Sequence, residues 1–131
     1  MTQEEFKRIS ELRRAIPRMY EKVVESHEKA TKLTIALSGM PHGTNVSSVV
    51  ENAVVNAEMY YQTYLEMVKE LNGILDKLKQ EAREKLNDTE YRIICGWYIG
   101  KVKMTGLAEE LKLTERHVYR VRKEAVNKLL H

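Results

Sequence analysis

Residues 48–86 read SVVENAVVNAEMYYQTYLEMVKELNGILDKLKQEAREKL. Val54, Tyr61, Val68, Leu75 and Ala82 recur every seventh position, and Val50, Ala57, Tyr64, Leu71 and Leu78 form a second row of the same period. Five heptads in register predict one long helix that packs against other helices. At ~1.5 Å per residue the rod is roughly 60 Å long. Gly73 costs about 1 kcal/mol relative to alanine without ending the helix. Ser47 or Ser48 supplies an N-cap, and Glu51 is placed to complete a capping box with Ser48.

Upstream, Phe6, Ile9, Leu12 and Ile16 carry helical spacing over 2–15. Pro17 is expected to break or kink the helix, because it lacks an N–H and crowds the carbonyl four residues back. The pattern resumes through Met19, Val23, Ala30, Leu33 and Leu37. Ile9, Ile16, Val23, Ala30 and Leu37 again recur every seventh position, Leu12, Met19 and Leu33 fill most of the places between, and Ser26 interrupts them. The stretch SGMPHGTNVS at 38–47, with Gly39, Pro41 and Gly43, is a loop. Residues 1–86 therefore read as a helical hairpin or coiled-coil region. Its first arm covers only part of the rod's apolar stripe, so a homodimer or higher homo-oligomer is expected through this region.

The chain has 131 residues, about one domain by the usual prior of ~100–200. Apolar residues make up 43% and charged residues 31%, and only 2 Pro and 6 Gly occur. This composition argues against disorder and against a loop-rich β fold. No segment alternates with period two for long enough to make a strand, so the fold class is all-α. The single cysteine, Cys95, excludes an internal disulfide framework and fits a reducing, cytoplasmic setting. The longest uncharged stretch, 33–50, holds Gly39, Pro41, Gly43 and Asn45 and is too polar to cross a membrane. The opening MTQEEFKRIS lacks the apolar core of a signal peptide.

Charge is uneven along the chain. Residues 1–86 balance, with 13 Lys and Arg against 13 Asp and Glu, so the whole net charge of +3 falls in residues 87–131. From Lys112 onward, Arg116, Arg120, Arg122, Lys123 and Lys128 face only Glu115 and Glu124. A local basic excess suits a polyanion, although a solvated helix face has the same composition.

Residues 87–131 read as a second domain of short helices. Asp88 can cap a helix over 89–99, which is rich in Tyr91, Ile93, Ile94, Trp97, Tyr98 and Ile99 and is closed by Gly100. Thr105 is the expected cap of a helix over 106–111, and Thr114 that of a last helix over 115–130. Two helices joined by a short turn, the second one basic, describe a helix-turn-helix. Leu107, Ala108 and Leu111 share a face, Ala108 permits close approach, Leu113 plugs the turn, and Val118 and Val121 point back into the same core. Lys112 stands at the turn position that commonly holds glycine, where positive φ costs other residues ~1 kcal/mol.

Such motifs place the last helix in the major groove by its N-terminal end. The outward positions are Thr114, Glu115, Arg116, His117, Tyr119, Arg120 and Lys123. Arg116 and Arg120 are one turn apart on one face, and an arginine can bond guanine O6 and N7 together. Thr114, Tyr119 and Lys123 suit phosphate oxygens, and Glu115 suits cytosine N4 or the positive helix end. Lys101, Lys103 and Thr105 can hold the DNA backbone from the preceding helix.

The segment NDTEYRIICGWYIGKVKMTGLAEELKLTERHVYRVRKEAVNKLL resembles the C-terminal, promoter-reading helix-turn-helix domain of sigma-70 family factors. The resemblance rests on Asp88–Glu90, Trp97-Tyr98-Ile99-Gly100, Leu107–Leu111, Thr114–Arg122 and Ala125–Leu129. The whole chain, with its long helices and MPHGTNVSSVVENAVV, is similar to small phage and prophage transcription regulators of the RinA/ArpU-like group. That likeness implies activation of phage late genes at a promoter, with host RNA polymerase as a partner.

Other constellations are weak. Tyr60, Tyr61 and Tyr64 can stack on unpaired bases, but Tyr61 and Tyr64 fall on seam positions and are expected in the core. His27, His42, His117 and His131 show no ligand spacing, so no metal is expected. Cys95 lacks a sequence partner for nucleophilic catalysis. No phosphate loop, nucleophile elbow or carboxylate pair occurs, so no catalytic residue, cofactor or enzymatic activity is expected. Two further readings stay open beside the regulator: a small terminase-like DNA-packaging factor, and a protein-interaction scaffold that binds no DNA.

Overall fold

In the computed structural model, residues 1–37 and 44–131 are described. The fold is all-α, and among the described residues no strand occurs. The rod is α2, Thr44–Lys85, and the arm before it is α1, Gln3–Leu37. Four shorter pieces follow: α3 (Asp88–Ile94), a π-helical stretch (Cys95–Ile99), α4 (Met104–Leu111) and α5 (Glu115–Leu129). No helix among the described residues is long and apolar enough to cross a membrane.

Of the break or kink expected at Pro17 the break does not occur, and the start of the rod shifts. Pro17 lies inside α1, which runs unbroken past it. The missing hydrogen bond costs ~3 kcal/mol. A break would turn the residues after it out of register with the seam, where Ile9, Leu12, Val23 and Ala30 are all buried. Large buried side chains contribute ~1.5–3 kcal/mol each, so the continuous helix wins. The rod also starts earlier than the serine caps suggest: Thr44 is already helical. Residues 38–43 of the expected loop lie outside the described residues.

The chain divides into two compact units, Ser10–Leu71 and Met1–Ile9 with Asn72–His131. The boundary expected at 86/87 thus falls inside one unit. Within Ser10–Leu71, Tyr20 meets Tyr64 at 5.6 Å between ring centroids and His27 meets Tyr61 at 6.4 Å. Residue numbers rise along α1 as they fall along α2, so the arms are antiparallel. Leu12, Val23, Ala30 and Ala57 are buried here. Tyr64 is half-buried, as expected for the core, but Tyr61 stays exposed on the flank of the pair.

In the other unit, the start of α1 packs with the end of α2 and with the short helices. Glu5 bonds Lys77 Nζ at 3.0 Å, and the rings of Phe6 and Tyr98 lie 5.4 Å apart. Met1 is buried, and its ammonium reaches both oxygens of Glu81 at 2.6 and 2.8 Å and the carbonyl of Leu129 at 3.1 Å.

Asn87, rather than Asp88, caps α3. Its side chain accepts from the Glu90 N–H at 2.9 Å, and Glu90 Oε1 accepts from the Asn87 N–H at 3.1 Å. This reciprocal pair is a capping box with asparagine in the serine role. It leaves Glu90 buried, with Lys128 Nζ of α5 at 2.8 Å from its second oxygen. The expected helix over 89–99 changes pitch instead of continuing: after Ile94 it widens into the π-helical turn. Gly96 sits in that turn, and a Cβ there would lie 2.6 Å from Leu107 Cδ2. The missing side chain therefore lets α4 lie directly on the turn's backbone.

Candidate nucleic-acid interface

The geometry of the C-terminal face is set by how α4 ends. Lys112 has φ 57° and ψ 42°, the left-handed conformation expected at the glycine-like position. Its N–H bonds the Glu109 carbonyl at 3.3 Å, and the Leu113 N–H bonds the Ala108 carbonyl at 2.9 Å. These two bonds form a Schellman closure, which satisfies carbonyls that the helix end leaves open. Leu113 then drops onto a buried cluster of Ile93, Met104, Leu107, Ala108 and Val118, with Trp97, Val102, Leu111 and Val121 around it. The expected packing of Leu107, Ala108, Leu111, Leu113, Val118 and Val121 is what holds α4 and α5 together.

A three-residue turn, Lys112–Thr114, leads into α5. Thr114 caps it as expected, its hydroxyl accepting from the His117 N–H at 3.2 Å. A hydroxyl that accepts one bond still has its proton to donate, so Thr114 can serve the cap and a phosphate at once. The cap of α4 is different: the helix begins at Met104, Lys103 stands before it without a side-chain bond, and Thr105 lies within the first turn.

Of the residues singled out from sequence, Lys103, Thr105, Thr114, Glu115, Arg116, Tyr119, Arg120 and Lys123 are exposed. Arg116, Arg120 and Lys123 share a face of α5 by their spacing. His117 is half-buried, and its Nδ1 lies 2.8 Å from Arg120 Nη2. A guanidinium only donates, so Nδ1 accepts and the imidazole proton sits on Nε2. The contact makes His117 a support for Arg120 and steadies the guanidinium on the surface. Glu115 lies in the first turn, where a carboxylate complements the positive helix end.

Two of the cations counted from Lys112 onward serve the fold instead. Arg122 is half-buried, its guanidinium 4.9 Å from the centroid of Trp97 and 5.4 Å from that of Tyr119. Lys128 is held by Glu90. Sequence reading missed both because charge alone does not show which cation has an aromatic or acidic neighbour from another helix. The usable signals were the only tryptophan of the chain, three residues past Ile94, and an acid at the third position of a capped helix. Cys95, expected to be buried, is half-buried, and burial pushes its thiol above the ordinary range.

Comparison of the chain with protein-family models, curated proteins and solved structures returns no match.

Proposed function

We propose that α4 and α5 act as a helix-turn-helix that binds duplex DNA in a sequence-dependent way, with α5 as the reading helix, and that the protein regulates transcription. The observation that carries this reading is the solvent-exposed row of Arg116, Arg120 and Lys123 on a threonine-capped helix behind a tight turn. Arginines one turn apart suit guanine edges, whereas Thr114, Tyr119 and Lys123 suit phosphates that set the register. Lys103 and Thr105, at the start of α4, supply a second set of backbone contacts. The resemblance to small phage regulators read from the sequence extends the proposal to action at a promoter together with host RNA polymerase.

The decisive experiment is selection of bound duplexes from a random pool, followed by footprinting with and without polymerase. A defined motif is expected, with affinity falling on a log–log plot against salt at a slope of about −0.9 for each phosphate neutralised. Absence of enrichment together with salt-insensitive binding overturns the proposal and leaves the C-terminal helices as a protein-docking element.

A further inference from the structure

The two flanks of the antiparallel pair in Ser10–Leu71 differ in chemistry. One flank mixes Lys22, Ser26 and Lys29 on α1 and Asn52 and Asn56 on α2 with the apolar Leu33, Val49 and Tyr60, the Tyr60 ring 6.0 Å from Lys22 Nζ. The opposite flank carries Tyr20, Val24, Val54, Tyr61 and Leu65, each between 38% and 54% exposed. Along it, α1 presents no Lys, Arg, Asp or Glu at Pro17, Tyr20, Val24, His27, Thr31 or Thr34, the positions that share this side by helical spacing. A hollow of about 320 Å³ opens between the arms on this side, lined by His27, Thr34 and Val54 among others.

The apolar residues of this flank leave on the order of 500 Å² in water, within the ~300–600 Å² of the largest patch on a typical monomer, which is often functional. Val54 and Tyr61 belong to the same heptad row as Ala82, which is fully buried by its own chain. The row's period is that of a helix packed against helices on every turn, yet among the described residues of Ser10–Leu71 its N-terminal end has α1 alone as a neighbour.

We infer that this flank is the self-association face of the protein, and that its occupant is the same flank of a second copy. Two such flanks meeting make a four-helix bundle in which every neighbouring pair is antiparallel. Charge selects the two-fold axis. An axis along the helices lays α1 of one copy on α2 of the other, so that Glu58, the acid lining the hollow, meets the row of α1 positions around His27 that carries no acid. An axis across the helices lays α2 on α2 and brings the Glu58 side chains of the two copies toward each other, which like charges oppose. With the polar rim around it, the face approaches the ~800 Å² per partner of a standard stable interface. The inference is independent of what α5 binds.

Sedimentation equilibrium of the full chain without DNA tests it. Wild type is expected to be a dimer at micromolar concentration. Val54→Glu with Leu65→Glu, at positions that a single chain leaves in water, is expected to weaken the dimer by about 100-fold or more while far-UV circular dichroism stays unchanged. Asn56→Glu, on the other flank, is expected to leave the dimer intact. A monomeric wild type overturns the inference and assigns the flank to a different protein. An Asn56→Glu effect as large as that of the flank pair also overturns it, as does a larger ring that the flank pair leaves whole.

Discussion

The Arg122 guanidinium stands 4.9 Å from the centroid of the Trp97 ring, which ties α5 to the π-helical turn. A cation over an aromatic face contributes ~0.5–2 kcal/mol depending on how dry it is, and the arginine stem adds packing. Arg122→Ala is therefore expected to destabilise the fold by about 1 kcal/mol. Because Trp97 is the only tryptophan, its fluorescence reports the loss directly. If the proposed DNA binding holds, the salt slope stays as in wild type; a slope reduced by about one phosphate equivalent assigns Arg122 to the DNA surface instead.

Arg116→Ala and Arg120→Ala are expected to relax base preference, each by ~1–3 kcal/mol at one position of the site. Lys123→Ala is expected to weaken all sequences alike. His117→Ala removes the acceptor 2.8 Å from Arg120, so its effect on base preference is expected to follow that of Arg120→Ala in direction and be smaller. Binding measured on a panel of single-base variants separates these outcomes, and wild-type preference in both arginine variants refutes α5 as the reading helix.

Gly96→Ala puts a methyl group 2.6 Å from Leu107 Cδ2. Leu107 is buried in the cluster of Ile93, Met104, Ala108 and Val118, so its side chain has little room to move away, and a loss of ~1–3 kcal/mol is expected in denaturant unfolding. Leu107→Ala alone opens a cavity and also destabilises. The double variant is expected to lose less than the two single losses combined, because the smaller side chain makes room for the new methyl group; strict additivity rules out the contact as the cause.

Lys112 pays the left-handed strain that glycine does not. Lys112→Gly relieves about 1 kcal/mol of that strain and gives back part of it as unfolded-chain entropy, so a net gain of ~0.5 kcal/mol or a little more is expected. A matched thermal unfolding comparison measures it. A loss in place of a gain shows that the lysine side chain contributes more than the backbone strain removes.

Glu90 governs part of the acid sensitivity. Burial alone raises its pKa, but the bonds from Lys128 and the Asn87 N–H outweigh that and hold it below the ordinary range. A carboxylate with a depressed folded pKa lends stability that is present above its unfolded value, ~4.3, and is lost as pH falls through the folded value. Glu90→Gln keeps an acceptor for the Asn87 N–H and loses the charge. It is expected to cost about 1 kcal/mol at neutral pH, since Lys128 is half in water, and to flatten the stability loss below about pH 4.5. Some slope remains, because Lys77 and the Thr2 N–H hold Glu5 low too. An unchanged acid profile in the variant refutes this role.

The heptad rows of α1 and α2, the Thr114 cap, the left-handed Lys112 and the Leu107–Val118 packing were legible in the residues, because each depends on spacing or on chemistry within a few positions. The same local logic placed Arg116, Arg120 and Lys123 on one exposed face. Local logic failed where a preference had to be weighed against distant contacts. Pro17 carries a breaking signal that the buried seam overrides, and Asp88 loses the capping role to Asn87 because Glu90 completes the box from inside. Tyr61 keeps its heptad position yet stays in water, since a period says that a residue faces a neighbour and not which chain supplies one. The sequence alone thus determined helix, face and turn. Tertiary structure decided which cations are engaged by the fold, because Arg122 and Lys128 are distinguished from their neighbours only by Trp97 and Glu90, which the chain brings to them from 25 and 38 positions away.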